Sequence, residues 1–203
     1  MRRKDAAQPG TPGVLLLAVA AALLAPVAGQ AQGPADEALS RGGLELSTAV
    51  AVSLTQESGD EDWATLVNVP LRLGFVVARG LEVEGEALLS HASYGGRDGS
   101  TGVIGALHLL YHFRTGGSTV PYVLVGGGYG NGAEFLGVAS DLDEGVVVLR
   151  AGAGFKTFLS PRVSLRGEYR FTHYDAGTSG GGDYIREESV NDHKVLLGFS
   201  VWF

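Results

Sequence analysis

The sequence predicts an all-β fold, an eight-stranded antiparallel up-and-down transmembrane β-barrel. Three observations lead there. Eight segments alternate apolar with small or polar residues, and a period of two gives an extended strand two different faces. One face is nearly free of charge for about ten residues at a time, while the other carries Glu, Arg and Lys. Beyond the N-terminal region no run reaches the roughly 18 apolar residues of a spanning helix, so any crossing must be made by strands.

Composition agrees. The chain has 203 residues, no Cys and 32 Gly. Without Cys there is no disulfide framework and no thiolate metal site. The glycine excess has no Gly-X-Y period and points to turns and close packing along strands. Arg2, Arg3 and Lys4 precede the apolar run Val14 to Ala25, then Pro26 and small residues. This predicts a secretory signal over residues 1–31, cleaved after Gly29 or Ala31, with an uncleaved anchor as the alternative. Its removal takes the formal charge from −7 to −9, which speaks against a nucleic-acid partner. Residues 32–42 read as a mobile periplasmic lead-in and 43–203 as the barrel.

The first strand, Leu44 to Gln56, sets Leu44, Leu46, Val50, Val52 and Leu54 against Glu45, Ser47, Ala49, Ala51 and Ser53. The second, Trp63 to Ala78, sets Val67, Val69, Leu71, Leu73, Phe75 and Val77 against Asn68, Arg72 and Gly74. Pro70 lies within it, and a proline there predicts a bulge or a lost ladder bond. The third, Leu81 to Tyr94, sets Leu81, Val83, Ala87 and Leu89 against Glu82, Glu84 and Glu86. The fourth, Thr101 to Arg114, sets Val103, Leu107, Leu109, Tyr111 and Phe113 against His108, His112 and Arg114. The fifth, Val120 to Gly130, is glycine-heavy, and its facing stays open. The sixth, Gly145 to Phe158, sets Val147, Leu149, Ala151, Ala153 and Phe155 against Arg150, Gly152, Gly154 and Lys156. The seventh, Val163 to Tyr174, sets Val163, Leu165, Tyr169 and Phe171 against Ser164, Arg166, Glu168 and Arg170. The eighth, His193 to Phe203, sets Val195, Leu197, Phe199, Val201 and Phe203 against Lys194, Leu196, Gly198, Ser200 and Trp202.

Connections alternate short and long, so one end of a meander holds the tight turns and the other the loops. A soluble barrel would place the apolar face inward. The charged residues on the minor face favour the reverse, because an eight-stranded lumen is just filled by its own side chains. Trp63, Tyr94, Tyr111, Phe113, Tyr122, Phe158, Tyr174 and Phe203 mark strand ends, as interfacial girdles do.

Leu107 to Phe113, Pro121 to Val123 leading into Gly126 to Gly130, Leu165 to Phe171 and the terminal strand are similar to segments of the bacterial outer-membrane β-barrel domain family. That family includes the OmpA-like transmembrane barrels. The resemblance implies residence in the bacterial outer membrane after export, contact with its lipid and lipopolysaccharide, and a terminal signal read by the barrel assembly machinery. Phe199, Val201 and Phe203 are the residues of that signal. No peptidoglycan-binding domain of the OmpA type is expected.

Function is read as non-enzymatic and structural or surface-interacting, with no cofactor, no metal and at most a very narrow gated pore. The site expected is a lumenal charge network of Arg72, Glu82, Glu84, Glu86, Arg150, Lys156, Arg166, Glu168 and Arg170. Strands three and seven of an eight-stranded barrel lie opposite, so the three glutamates are expected to reach Arg166 and Arg170. The bland reading is a plug of salt bridges, and the sharper one a switchable gate for small ions, as is proposed for OmpA-like barrels. Two alternatives come from other classes. His91 and Ser93 resemble the His-x-Ser pair of outer-membrane lipid A deacylases, but Tyr94 follows the Ser and the orienting acid of that family is missing. An adhesin would bind through the connections Asn131 to Glu144 and Asp175 to Asp192. Asp141 to Gly145 lacks calcium-loop spacing and reads as a solvated loop. Gly126-x-Gly128-x-Gly130 has no βαβ unit around it and reads as strand glycine making room for neighbours.

Overall fold

Each strand takes the facing that its charges dictate, and the sheet then has one way to close. The computed structural model describes residues 34–56, 63–94, 100–131, 146–176 and 188–203. A short helix, α1 (Pro34–Ala38), leads into β1 (Leu44–Gln56), β2 (Trp63–Ala78), β3 (Leu81–Tyr94) and β4 (Ser100–His112). β5 (Thr119–Asn131), β6 (Val146–Ser160), β7 (Val163–Ala176) and β8 (Glu188–Trp202) complete the order. Every strand pairs antiparallel with the next, and β8 returns to β1. The result is a closed eight-stranded barrel.

Exposure separates the two faces. Leu107 and Leu197 on the outer face are 61% and 63% exposed, whereas Arg72 and Arg166 on the inner face are 1% and 2% exposed. A closed sheet pairs most of its backbone groups within the protein, as a lipid surround demands. On β8 the apolar exterior runs from Phe203 to Val195 and gives way to His193 and Asn191. That is roughly 20–25 Å of height for a tilted strand, the size of an outer-membrane hydrocarbon band.

β5 is now oriented. Val123, Val125 and Tyr129 point outward, and Tyr122 and Leu124 point into the lumen, on the same face as Gly126, Gly128 and Gly130. This corrects part of the expected girdle. Tyr122, Phe158 and Tyr174 are buried inside the barrel, while Tyr111, Phe113 and Phe203 do face outward. Position at a strand end gives no parity, and these three rings fall on lumenal positions. The side chains of Trp63 and Tyr94 lie outside the described residues, as do residues 1–33 and the Asp141-to-Glu144 stretch.

Two further corrections concern the ends of the chain. The lead-in is not a free stub. Its Ala35, Ala38 and Leu39 pack into the barrel mouth against Val76, Val120, Phe158 and Trp202, and Asp36 pairs with Arg114. Gly42 N–H donates to Val76 O and Val76 N–H to Gly43 O, which ties the segment to β2. At the other end β8 starts at Glu188, five residues before His193. Its polar residues extend the ladder on β7, with His173 opposite Asn191 and Thr172 opposite Asp192.

Pro70 interrupts one ladder and leaves the register intact. β1 pairs with β2 through Thr48–Leu71 and resumes at Ala51–Asn68, with the two rungs between them missing. The Thr48 hydroxyl donates to the Pro70 carbonyl at 3.0 Å and replaces part of what is lost. Thr48→Val is therefore expected to cost about 1–2 kcal/mol of stability in detergent micelles, read from the urea unfolding midpoint. An unchanged midpoint would mean that this carbonyl is satisfied in some other way.

Candidate functional site in the charged lumen

Among the described residues the centre of the lumen holds five buried glutamates, Glu45, Glu82, Glu84, Glu86 and Glu168, and five buried cations, Arg72, Arg150, Lys156, Arg166 and Arg170, while a sixth, Lys194, is paired with Asp192 above them. The formal charge of this set is zero. Parity along each strand points these side chains inward, and glycines on the same face make room for them. A Cβ on Gly154 would sit 2.7 Å from the Tyr122 ring, and one on Gly74 would strike the Glu82 carboxylate.

Three tiers follow the strand positions. In the lowest, the Lys156 ammonium lies between Glu45 and Glu82, 2.9 Å from Glu82 Oε2. It also lies 4.8 Å from the centre of the Trp202 ring, and His112 Nε2 is 3.5 Å from Glu82. In the middle, Arg166 clamps Glu84 through both terminal nitrogens and reaches Glu168 Oε2 at 2.6 Å. Its Nε donates to Tyr122 OH at 2.9 Å, and Tyr122 OH donates to Glu168 at 2.7 Å. In the upper tier Glu86 gathers three arginines: Arg72 at 2.8 Å, Arg150 at 2.5 Å and Arg170 at 2.8 Å. Arg170 also holds Glu168 at 2.5 Å.

The sequence-predicted residues thus lie in one connected cluster, with a change of partners. Glu84 meets Arg166 and Glu86 meets Arg170, but Glu82 is held by Lys156 of β6. Sequence reasoning left out four members: Glu45, Tyr122, His108 and His112. Glu45 sits on the correct face of β1 but alone among small residues. Tyr122 passes for a girdle aromatic, and His108, 3.2 Å from Glu84, for an isolated polar residue.

Apolar layers bound the cluster on both sides. Below lie Leu39 of the lead-in, Val76, Val120, Phe158 and Trp202. Above lie Leu88, Ile104, Val146, Val148 and Tyr174. Ion pairs shut between such layers gain strength from the low local dielectric, and a lone charge there is costly.

Two groups of side chains have metal-ligating potential, Glu84–Glu86–His108 and Glu45–Glu82–Glu84. In each, protein cations already occupy the carboxylates. Lys156 serves Glu45 and Glu82, and the arginines serve Glu84 and Glu86. The donor sets fit an internally compensated plug better than a metal centre. His91 and Ser93 are elsewhere, exposed on the outer face of β3. His91 Nδ1 shares a hydrogen bond of 3.0 Å with Thr101 Oγ1, and among the described residues no carboxylate is paired with it. Phe199, Val201 and Phe203 all lie on the outer face of β8.

Three solved structures are similar to the chain. Neisserial surface protein A is similar over 80% of this chain and 97% of its own, with 14% identity and a TM-score of 0.56. The N-terminal β-barrel domain of Pseudomonas aeruginosa OprF covers 80% of this chain and 98% of its own, with 20% identity and a TM-score of 0.48. The outer membrane protein OprG of Pseudomonas aeruginosa covers 82% and 98%, with 16% identity and a TM-score of 0.46. No curated protein matches the chain. The sequence profile of the outer membrane protein beta-barrel domain matches residues 15–203, nearly the whole chain. Closed barrel, apolar exterior and profile converge, and the chain belongs to the outer-membrane β-barrel domain family.

Proposed function

We propose that the chain serves the bacterial outer membrane as a closed, non-catalytic barrel with a structural or surface-interaction role. One observation carries this reading: the neutral charge cluster is stacked between two apolar layers, with α1 in the periplasmic mouth. Apolar constrictions of this kind oppose wetting of a lumen. Residues 1–31 act as the export signal, and the outer face of β8 ending in Phe203 is what the barrel assembly machinery reads. Outer-membrane lipid and lipopolysaccharide surround the barrel. Any specific ligand is met by the long connections after β5 and β7.

Acyl-ester hydrolysis would need an oriented His beside its nucleophile. The exposed His91, bonded to Thr101 and with no paired carboxylate among the described residues, does not supply one. Mass spectrometry of lipid A from cells with and without the protein tests this. The expected result is an identical acylation pattern. A missing acyl chain that depends on His91 would overturn the non-catalytic reading.

A further inference from the structure

The barrel closes along only part of its seam. Adjacent strands elsewhere are paired along most of their length, whereas the β1–β8 ladder has six rungs, from Glu45–Trp202 to Val50–Leu197. Beyond that point β1 residues 51–56 pair with β2 alone, and β8 residues 188–196 pair with β7 alone. The handover at Val50/Ala51 coincides with Pro70. Where β1 loses β2 it is still held by β8, and where it regains β2 it lets go of β8. Just before the handover Gly198 lies opposite Ala49. A Cβ on Gly198 would meet Ala49 Cβ at 2.6 Å.

The level of this opening matters. By continuation of the register the first missing rung is Ala51 opposite Leu196, whose side chains pack together inside the lumen, and the first on the outer face is Val52 opposite Val195. Both side chains face outward and are exposed at 59% and 66%, at the top of the apolar band. The next outward residues on β8 are His193 and Asn191. His193 bonds Tyr169 OH at 2.6 Å, and Asn191 bonds His173 at 2.8 Å, a polar and aromatic rim of interfacial character. The open edge therefore begins where the outer leaflet passes from hydrocarbon to its polar linkage groups.

An unpaired row of backbone N–H and C=O groups at that depth needs a partner, because hydrocarbon offers none. The nearby charges are already engaged: Lys194 pairs with Asp192 at 2.5 Å and faces inward. The lipid-facing surface is continuous with the opening on both sides, through Val50 and Val52 on β1 and Leu197 and Val195 on β8. We propose that the open upper seam between β1 and β8 docks an outer-leaflet lipid. The lipid's ester, amide and hydroxyl groups complete the two strand edges, and its chains lie along the apolar exterior. This rests on the outer face meeting lipid, which heat-modifiable migration of the same samples reports independently.

The absence of native cysteine makes a clean test possible. The pair V52C/V195C can be oxidised to staple the seam shut. The protein is reconstituted in vesicles of phosphatidylethanolamine, phosphatidylglycerol and lipopolysaccharide, extracted in an alkyl maltoside and analysed by native mass spectrometry. The reduced form is expected to retain bound lipid, and the stapled form to lose about tenfold in occupancy, with recovery on reduction. Unchanged occupancy in the stapled form, or a disulfide between two barrels, would overturn the proposal; the second result would assign the edges to another copy of the chain. Amide exchange of unstapled protein decides the matter if the staple does not form. Residues 51–56 and 191–196 should exchange fast in lipid-free maltoside and slow about tenfold or more when the same lipids are added. Protection already equal to that of residues 44–50 without lipid, or no change on lipid addition, would contradict it.

Discussion

Arg166→Met is expected to destabilise the barrel by about 3–5 kcal/mol, a large share of the roughly 5–15 kcal/mol that holds a typical domain together. The reason is the number of groups left behind. Arg166 closes on both oxygens of Glu84, on Glu168 Oε2 at 2.6 Å and on the Tyr122 hydroxyl at 2.9 Å. Methionine fills much of the volume and supplies none of the five donors. Glu84 keeps His108 and a longer contact to Arg72 at 3.8 Å, and Glu168 keeps Arg170. Neither set replaces a bidentate clamp in a water-poor lumen. The temperature at which the folded gel band gives way to the unfolded one measures this directly, as does the urea midpoint. The double variant R166M/E84Q should recover part of the loss, because it removes one charge of each sign and leaves Glu168 with Arg170 at 2.5 Å. Full stability of R166M alone would show that water reaches Glu84 and Glu168.

Deleting Phe203 should have its largest effect in the cell and a small one in the test tube. The Phe203 side chain is 74% exposed on the outer face, so the barrel's own packing barely depends on it. Its backbone contributes more, since Phe203 N–H donates to Leu44 O at 2.9 Å and Leu44 N–H to Phe203 O at 3.2 Å. Losing that closing pair costs about 1–2 kcal/mol in micelles, while outer-membrane levels should fall severalfold through loss of the assembly signal. Phe203→Ala separates the two contributions, for it keeps the backbone pair and removes only the ring. Urea unfolding in micelles and quantification of the outer-membrane fraction read the two sides. Normal membrane levels for both variants would refute the assembly role of Phe203.

How far the sequence carried these conclusions depended on charge. On β3 and β7 three charged residues recur at every second position, and on β6 Arg150 and Lys156 share one parity, so the lumenal face is legible residue by residue. On β5 no charged residue marks a face and glycine occupies the inward positions, so Tyr122 could not be placed. Height is a different problem. Alternation says which way a side chain points, while strand tilt and stagger decide which residue it meets across the lumen. That is why Glu84 finds Arg166 as expected, while Glu82 finds Lys156 on β6, the strand next to β7. The docked lead-in was illegible for another reason. Pro34–Ala38 is a five-residue helix, too short to show periodicity, and its fixing contacts come from Val76, Phe158 and Trp202, which are remote in sequence. The open seam was equally hidden, because Val52 and Val195 keep perfect alternation whether or not they pair with each other.

The proposed role depends on a filled lumen, its tiers of compensated charge closed by Leu39 and Trp202 below and by Leu88, Ile104 and Val148 above. Planar-bilayer recording of the purified, refolded barrel tests this most directly. The expected trace is a flat baseline, with at most brief and small events, at either polarity of applied voltage. Large, steady, porin-like openings that scale with the amount of folded protein would contradict it.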